Sequence, residues 1–170
     1  MKRKFFAVVA FSLFAAAAAG CSQTTMAASA GAEMASASNT ASRAPETVVD
    51  AFAAALRAGD ASAVEQLMAP DVIIAESGGV ERSFAEYASE HLPADIAFSA
   101  SVQFTPKQRD VIATADAATV ISRSEIHGQF EGRAIHSQSM ETMELRRMNG
   151  QWRIVHIHWS SAPIRDAHAQ

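Results

Sequence analysis

Residues 137–163 read SQSMETMELRRMNGQWRIVHIHWSSAP, and this stretch decides the fold. At its centre, Asn149-Gly150 is the residue pair preferred in a two-residue type I′ turn, because both central positions of that turn need positive φ. Apolar and polar residues alternate on both sides of the pair. The pattern predicts two antiparallel strands, over about residues 133–147 and 151–160, joined as a hairpin.

A turn at these two residues also predicts which side chains are opposite each other across the hairpin. Met148 is expected opposite Gln151, and Glu141 opposite His158. The face of Glu141 would also carry the pairs Leu145 with Ile154, Met143 with His156, and Ser139 with Ser160. The other face would carry Arg146 with Arg153, Glu144 with Val155, Thr142 with Ile157, and Met140 with Trp159.

The chain before the hairpin begins with helical patterns. Pro45 and a stripe of apolar residues predict a first helix that ends at Gly59: Val48, Val49, Phe52, Ala55 and Leu56. Asp60 can cap a short second helix that Pro70 closes. Val72–Ala75 suggests a short strand, with a turn at residues 77–79.

A third helix is predicted from the Ser83-Phe84-Ala85-Glu86 capping box to about Leu92, where Pro93 stops it. From there the pattern has a period of two, which predicts strands at about residues 96–104, 109–114 and 117–127. Helices followed by strands indicate an α+β domain, with N-terminal helices packed on a strongly curved antiparallel sheet.

The N-terminus predicts an exported lipoprotein. Three basic residues precede an apolar run, Phe5–Ala19, which is too short to span a bilayer as a stable helix. Ala18–Cys21 resembles a lipobox, so residues 1–21 would be a lipoprotein signal peptide with Cys21 lipidated; an ordinary cut after an Ala-x-Ala site stays open. Residues 22–43 would be a flexible tether and 44–165 the folded domain. The expected location is the periplasmic face of the envelope, at the outer membrane.

Composition narrows the classes of function. Three of the 14 Lys and Arg lie in the leader, so the rest of the chain has 11 basic residues and 18 Asp and Glu. This excess of negative charge argues against a nucleic-acid partner. Cys21 is the only cysteine, which excludes an intramolecular disulfide and any further catalytic thiol. No cofactor is expected.

Three segments, residues 137–142, 149–152 and 155–163, resemble the association (hub) domain of calcium/calmodulin-dependent protein kinase II. They look equally like the SnoaL-like and ketosteroid-isomerase-like proteins of the nuclear transport factor 2-like superfamily. A weaker likeness includes Phe84, Tyr87, Glu90 and Leu92. The resemblance implies a cone-shaped, cystatin-like fold with a pocket at its open end, and it fixes no chemistry.

Departures from these relatives affect the expected ligand. Where the hub domain places two arginines that bind small carboxylates, this chain has Ser124 and Ile135, although Arg133 matches a family arginine. The expectation that the pocket binds small carboxylates is therefore weakened. The acidic residues of ketosteroid isomerases are assigned to no position here.

Several polar residues are candidates for the pocket. Glu141 and His158 could form a general base, or a buried structural pair, which is the preferred interpretation. Tyr87 and His91 share a helix face that could point into the mouth of the cavity.

The remaining predicted pocket residues are Arg133, Met143 and His156. His156 and His158, with His91 or His136, are a weak metal signal, and no metal site is predicted. Arg123 and Glu125 could also face the pocket.

Two functions stay open. The preferred one is a non-catalytic binding or assembly module with a pocket for a small, largely apolar ligand, dimeric through the outer face of its sheet. The alternative is a small isomerase or lyase that uses a His/Glu pair, with His158 or His91 as base.

Overall fold

The computed structural model describes residues 44–164. These form four helices and six strands. The helices are α1 (Pro45–Ala58), α2 (Ala61–Leu67), α3 (Phe84–Glu90) and α4 (Leu92–Ser101). The strands are β1 (Met68–Glu76), β2 (Gly79–Glu81), β3 (Val102–Ala113), β4 (Ala117–Phe130), β5 (Arg133–Met148) and β6 (Gln151–Pro163).

The first helix begins and ends as its sequence predicts, and the second begins as predicted but ends at Leu67, because residues 68–70 already belong to β1. The apolar stripe of α1 is buried, with Phe52 only 1% exposed, and Gly59 ends the helix at a φ of 71°. Asp60 caps α2 by accepting a hydrogen bond of 2.9 Å from the Ala63 backbone. The core therefore forms between α1 and the facing side of the sheet.

The six strands form one sheet in the order β2-β1-β6-β5-β4-β3. All neighbours are antiparallel except β1 and β6, which are parallel. The α+β class is confirmed, while the sheet is mixed because β1 enters beside the last strand. β2, a short edge strand, was not predicted.

The turn at Asn149-Gly150 is confirmed, with φ of 53° and 79°. Pairs from Met148 with Gln151 up to Leu145 with Ile154 match the predicted register. Beyond them the prediction is wrong, because β6 has a bulge at Val155 that shifts every later pair by one residue. The observed pairs are Glu144 with His156, Met143 with Ile157, Thr142 with His158, Glu141 with Trp159, Met140 with Ser160, and Ser139 with Ser161.

The strand predicted over residues 96–104 is also wrong for most of its length. Residues 92–101 form α4, and Pro93 lies in the first turn of this helix, where its missing N–H costs nothing. Leu92 and Ser99 are buried and Ile96 is packed against the core, so the contacting residues follow a helical spacing. Tertiary packing on this stripe outweighed the short-range alternation.

The predicted leader, the lipid acceptor Cys21 and the tether lie outside the described residues. Among residues 44–164, no helix has the length and apolar character needed to cross a membrane.

Candidate active site

A cavity of about 220 Å³ lies where the β1–β2 hairpin, helices α3 and α4, and the end of β6 meet. Carboxyl, phenol and imidazole side chains line it, together with one indole. The lining consists of Ile74, Glu76, Ser77, Gly79, Glu81, Tyr87, His91, Asp95 and Trp159. Such a concentration of titratable groups around one cavity is typical of a functional site.

His91 and Glu81 form the first polar pair of this cavity. His91 Nδ1 and Glu81 Oε1 are hydrogen-bonded, and this bond raises the pKa of His91 above its ordinary value. The Glu81 side chain is buried, whereas that of His91 is 60% exposed. A buried carboxylate thus orients the imidazole and favours its protonated form, leaving Nε2–H as the donor available to a ligand.

Tyr87 and Asp95 form the second pair. Tyr87 is completely buried, and its hydroxyl donates a hydrogen bond of 2.8 Å to Asp95 Oδ2. Burial raises the pKa of Asp95, and the bond from Tyr87 partly opposes that rise. Burial and then the charge of Asp95 raise the pKa of Tyr87. Asp95 is therefore a stronger base than a carboxylate in water, with one oxygen fixed and the other left for a ligand.

Glu76 adds a third carboxylate at the end of β1. Part of the residue is exposed, but its carboxyl faces the cavity, and partial burial followed by the charge of Asp95 raises its pKa. Glu76 is next to Trp159 across the parallel strand pair. The cavity therefore brings acidic groups with raised pKa values against an aromatic wall.

Trp159 forms that wall and connects the cavity to Glu141. The indole Nε1 donates a hydrogen bond of 2.9 Å to Glu141 Oε2. The ring stacks on Phe52, with 6.3 Å between centroids and 27° between the planes. Burial raises the pKa of Glu141, and the bond from Trp159 opposes that rise.

The structure separates the residues that the sequence placed in one pocket. Tyr87 and His91 do share a cavity, while the lining omits Arg133, Met143, His156 and His158. Glu141 does not line the cavity; it accepts a hydrogen bond from Trp159, which does.

The expected pair of Glu141 with His158 is wrong. The bulge at Val155 turns His158 to the exposed, outer face of the sheet, opposite Thr142. Glu141 stays on the inner face, in the same alternation as the fully buried Met143 and Leu145. Met143 itself is packed in the hydrophobic core.

The other candidates lie away from the cavity, at exposed or half-buried positions. Arg133 is exposed at the start of β5. His156 Nδ1 contacts the Ile73 carbonyl oxygen at 2.9 Å. His127 and His136 face each other across β4 and β5, with 4.4 Å between ring centroids. Glu125 pairs with Lys107 at 2.8 Å. Within residues 44–164, no three His, Cys, Asp or Glu side chains are arranged to hold a metal ion.

Sequence reasoning missed Glu76, Glu81 and Asp95. Glu81 lies on the unpredicted β2, and Asp95 lies on α4, which was mistaken for a strand. The signal for Asp95 was the helical spacing of Leu92 and Ile96, which places Asp95 next to the buried face. Nothing in the sequence alone indicated that Glu76 would lie beside Trp159.

A larger apolar groove of about 600 Å³ runs between α2 and the α3–α4 pair. Its lining is mainly Phe84, Ala88, Leu92, Pro93 and Ile96, with Ser62 and Glu65 at the α2 side. It lacks the convergent polar groups of the smaller cavity. The 220 Å³ cavity, where these polar groups converge, is therefore the candidate functional site.

Comparisons with known proteins identify the family. The sequence profile of the SnoaL-like domain matches residues 46–165. A candidate ketosteroid isomerase from Shewanella frigidimarina has 40% sequence identity and a TM-score of 0.67, over 71% of this chain and 97% of that one. No curated protein matches the chain.

More distant structures share the fold alone. The S. rosetta hub domain of calcium/calmodulin-dependent protein kinase II is 20% identical with a TM-score of 0.59, over 68% of this chain and 92% of that one. A candidate dehydratase of the nuclear transport factor 2-like family from Streptomyces avermitilis is 20% identical with a TM-score of 0.55, over 71% and 94%. The resemblance seen in the sequence is confirmed. The chain belongs to the SnoaL-like domain family and has the nuclear transport factor 2-like, cystatin-like fold.

Proposed function

We propose that the domain catalyses proton transfer within a small carbonyl compound, as an isomerase or lyase of the SnoaL-like family. The observation that carries the proposal is the convergence of Asp95, Tyr87, His91 and Glu81 on one cavity. The kinship with a candidate ketosteroid isomerase supports the same class of reaction. A non-catalytic binding module is the competing function, and the experiment below distinguishes the two.

In the proposed reaction, the free oxygen of the Asp95 carboxylate takes a proton from the carbon next to the carbonyl group. Tyr87 holds the other carboxylate oxygen in place through its hydroxyl. Protonated His91, oriented by Glu81, donates a hydrogen bond to the oxygen of the enolate that forms. Asp95 then returns the proton to a different carbon, so the enzyme ends in its starting state.

The directions of the two pKa shifts suit this division of roles. The reaction needs ionised Asp95 and protonated His91, so activity requires a pH between their pKa values. Both pKa values are raised, Asp95 by burial and His91 by the bond to Glu81. A bell-shaped pH profile is expected, with its acid limb at a higher pH than the ordinary pKa of an aspartate and its alkaline limb at a higher pH than that of a histidine.

The cavity size restricts the substrate. A volume of about 220 Å³ is below the range of roughly 300–1,000 Å³ that drug-sized ligands occupy. The substrate is therefore a compound of about one ring rather than a steroid. Ile74 and the Trp159 indole provide the apolar contacts for that ring.

The test uses a β,γ-unsaturated cyclohexenone, whose conversion to the conjugated isomer is followed by ultraviolet absorbance. We expect turnover by the wild type, loss of at least about 100-fold in kcat for Asp95→Asn, and a smaller loss for His91→Gln. Asp116→Asn, in the β3–β4 loop, is the control and should leave the rate unchanged. Saturable binding without turnover would instead establish a binding module, and absence of both would refute the proposal.

We further propose that the domain is attached to the cell envelope through a lipid on Cys21. The lipobox-like Ala18–Cys21 and the tether composition of residues 22–43 support this location. Cys21→Ser should abolish the incorporation of a labelled fatty acid into the protein. A protein that remains in the cytoplasm with its leader intact would contradict the proposal.

We propose, finally, that two copies pair through the outer face of the sheet. Ile73 and Met140, about 40% exposed, give that face apolar surface. Met140→Glu should convert a dimer of residues 44–170 to a monomer in light-scattering measurements. A monomeric wild type would refute the pairing.

A further inference from the structure

Trp159 is fixed on two sides. One hydrogen bond joins its Nε1 to Glu141 Oε2 at 2.9 Å, and its ring stacks on Phe52 of α1. The indole also lines the cavity of about 220 Å³. An indole is large relative to such a cavity, so its rotamer decides how much space a ligand finds.

Glu141 lies in a row of inner-face side chains that crosses the sheet. Its neighbours in register are Trp159 on β6 and Ser122 on β4. Arg109 on β3 donates to Ser122 Oγ at 3.1 Å and pairs with Asp50 of α1 at 2.7 Å. These contacts hold the strands around Glu141 against α1.

A half-buried carboxylate at this position costs stability, because burial disfavours its charged form; the hydrogen bond from Trp159 and the charge of Arg109 oppose this only in part, so the pKa of Glu141 stays raised. The direct partner of Glu141 is the indole of Trp159. Met143 and Leu145, the next two residues on the same face of β5, are fully buried and apolar. An apolar residue would therefore suit the core at position 141, whereas only an acceptor can bind the indole N–H.

We propose that Glu141 is a positioning residue for the reaction site: by accepting the Trp159 hydrogen bond it holds the indole as a fixed wall and keeps the cavity open to the substrate ring. This inference rests on the proposed function for its kinetic consequence. Glu141 itself does not line the cavity. Its effect should therefore appear in substrate binding, and the proton-transfer step should be nearly unchanged.

The test replaces the acceptor in two ways and keeps a matched control. Glu141→Gln retains an acceptor oxygen, whereas Glu141→Met is similar in length and has none for the indole. Glu144→Met makes the same change on the exposed, opposite face of β5. With the cyclohexenone, Glu141→Met should raise KM about 10-fold, the equivalent of about 1.4 kcal/mol, with kcat within about 3-fold of the wild type. Glu141→Gln and Glu144→Met should keep KM within about 3-fold.

A spectroscopic measurement separates this inference from the proposed reaction. The chain has two tryptophans, so Trp152→Phe leaves Trp159 as the sole indole emitter. In that background, Glu141→Met should shift the Trp159 emission and change its quenching by the ring ketone, and Glu141→Gln should restore both. This readout needs no turnover, so it tests Glu141 even if the wild type only binds the ketone.

The inference is overturned if Glu141→Met and Glu144→Met give the same emission and the same ketone affinity. Should Glu141→Met fail to fold, Trp159→Phe provides the second test, because phenylalanine keeps a ring and lacks the N–H. We then expect the same rise in KM, or in the ketone dissociation constant. An unchanged value for Trp159→Phe overturns the inference as well.

Discussion

Replacing Tyr87 by Phe removes one hydroxyl from a completely buried ring and keeps the ring itself. The hydroxyl donates to Asp95 Oδ2 at 2.8 Å, so the variant leaves that oxygen without its donor. A hydrogen bond to a charged group contributes about 2 kcal/mol, and one to a neutral group about 1 kcal/mol. The loss of stability should therefore depend on whether Asp95 is ionised.

The sign of the pH dependence follows from the raised pKa of Asp95. A carboxyl whose pKa is higher in the folded state stabilises the fold at low pH and loses this contribution as the pH rises through the folded value. Tyr87→Phe removes the bond that favours the ionised form, so it raises this pKa further. We expect a loss of about 2 kcal/mol near neutral pH, or about 8 °C in Tm, and about 1 kcal/mol near pH 4.

The assay is urea denaturation of residues 44–170 at both pH values. Ser89→Ala is the control: it removes a hydroxyl that bonds the Glu86 carbonyl oxygen at 3.0 Å on the exposed side of α3, and should change stability little. In a double-mutant cycle, Asp95→Asn should remove most of the pH dependence of Tyr87→Phe. Equal losses at the two pH values, or a loss no larger than that of Ser89→Ala, would refute the Tyr87–Asp95 pairing.

Three further predictions concern the same structure. Tyr87 is the only tyrosine of the chain, so ultraviolet absorbance reports its ionisation, and its phenol should stay protonated above pH 10 while the protein is folded. Asp95→Asn should lower the pKa of this phenol. Ionisation of Tyr87 at the ordinary tyrosine pKa would contradict its burial. Gly128→Ala would place a Cβ 2.8 Å from the Ser101 carbonyl oxygen, at a residue whose φ is +155°. We expect the free energy of unfolding, measured by urea denaturation, to fall by at least about 2 kcal/mol. An unchanged free energy of unfolding would disprove the close approach. Asp60→Ala should cost about 1 kcal/mol through the lost cap of α2, measured in the same way, while Asp60→Asn should cost less.

Local rules predicted the elements whose signals lie within a few residues. The apolar stripe of α1, the Asp60 cap and the Asn149-Gly150 turn each formed as expected. In the capping box of α3, the Glu86 amide bonds Ser83 Oγ at 3.1 Å, while the Glu86 carboxylate accepts from the Arg82 amide at 2.7 Å. These features need no distant partner, so the sequence sufficed for them.

Features set by distant packing were not predictable in the same way. The bulge at Val155 places Ile154 and Ile157, three residues apart, both in the core. Strict alternation could not give that arrangement, although this spacing of two isoleucines was a signal. α4 formed because Leu92, Ile96 and Ser99 pack inward, against a local pattern that favoured a strand.

The candidate site was predicted only in part for the same reason. Tyr87 and His91 were named from their shared helix face, and both line the cavity. Their partners Glu81 and Asp95 come from β2 and α4, whose placement depends on the tertiary fold. The one-residue shift in β6 places His158 on the outer face and makes Trp159 the hydrogen-bond partner of Glu141.

The most direct test of the central claim is an NMR titration that follows the Asp95 carboxyl carbon and the His91 ring nitrogens in one sample, with and without the cyclohexenone. We expect the pKa values of Asp95 and His91 both to lie above the ordinary values of their side chains, and both should change when the ketone binds. Glu81→Gln should bring the His91 pKa back toward its ordinary value. Ordinary pKa values for both groups, unaffected by the ketone, would contradict the proposal that these residues form one acid–base site.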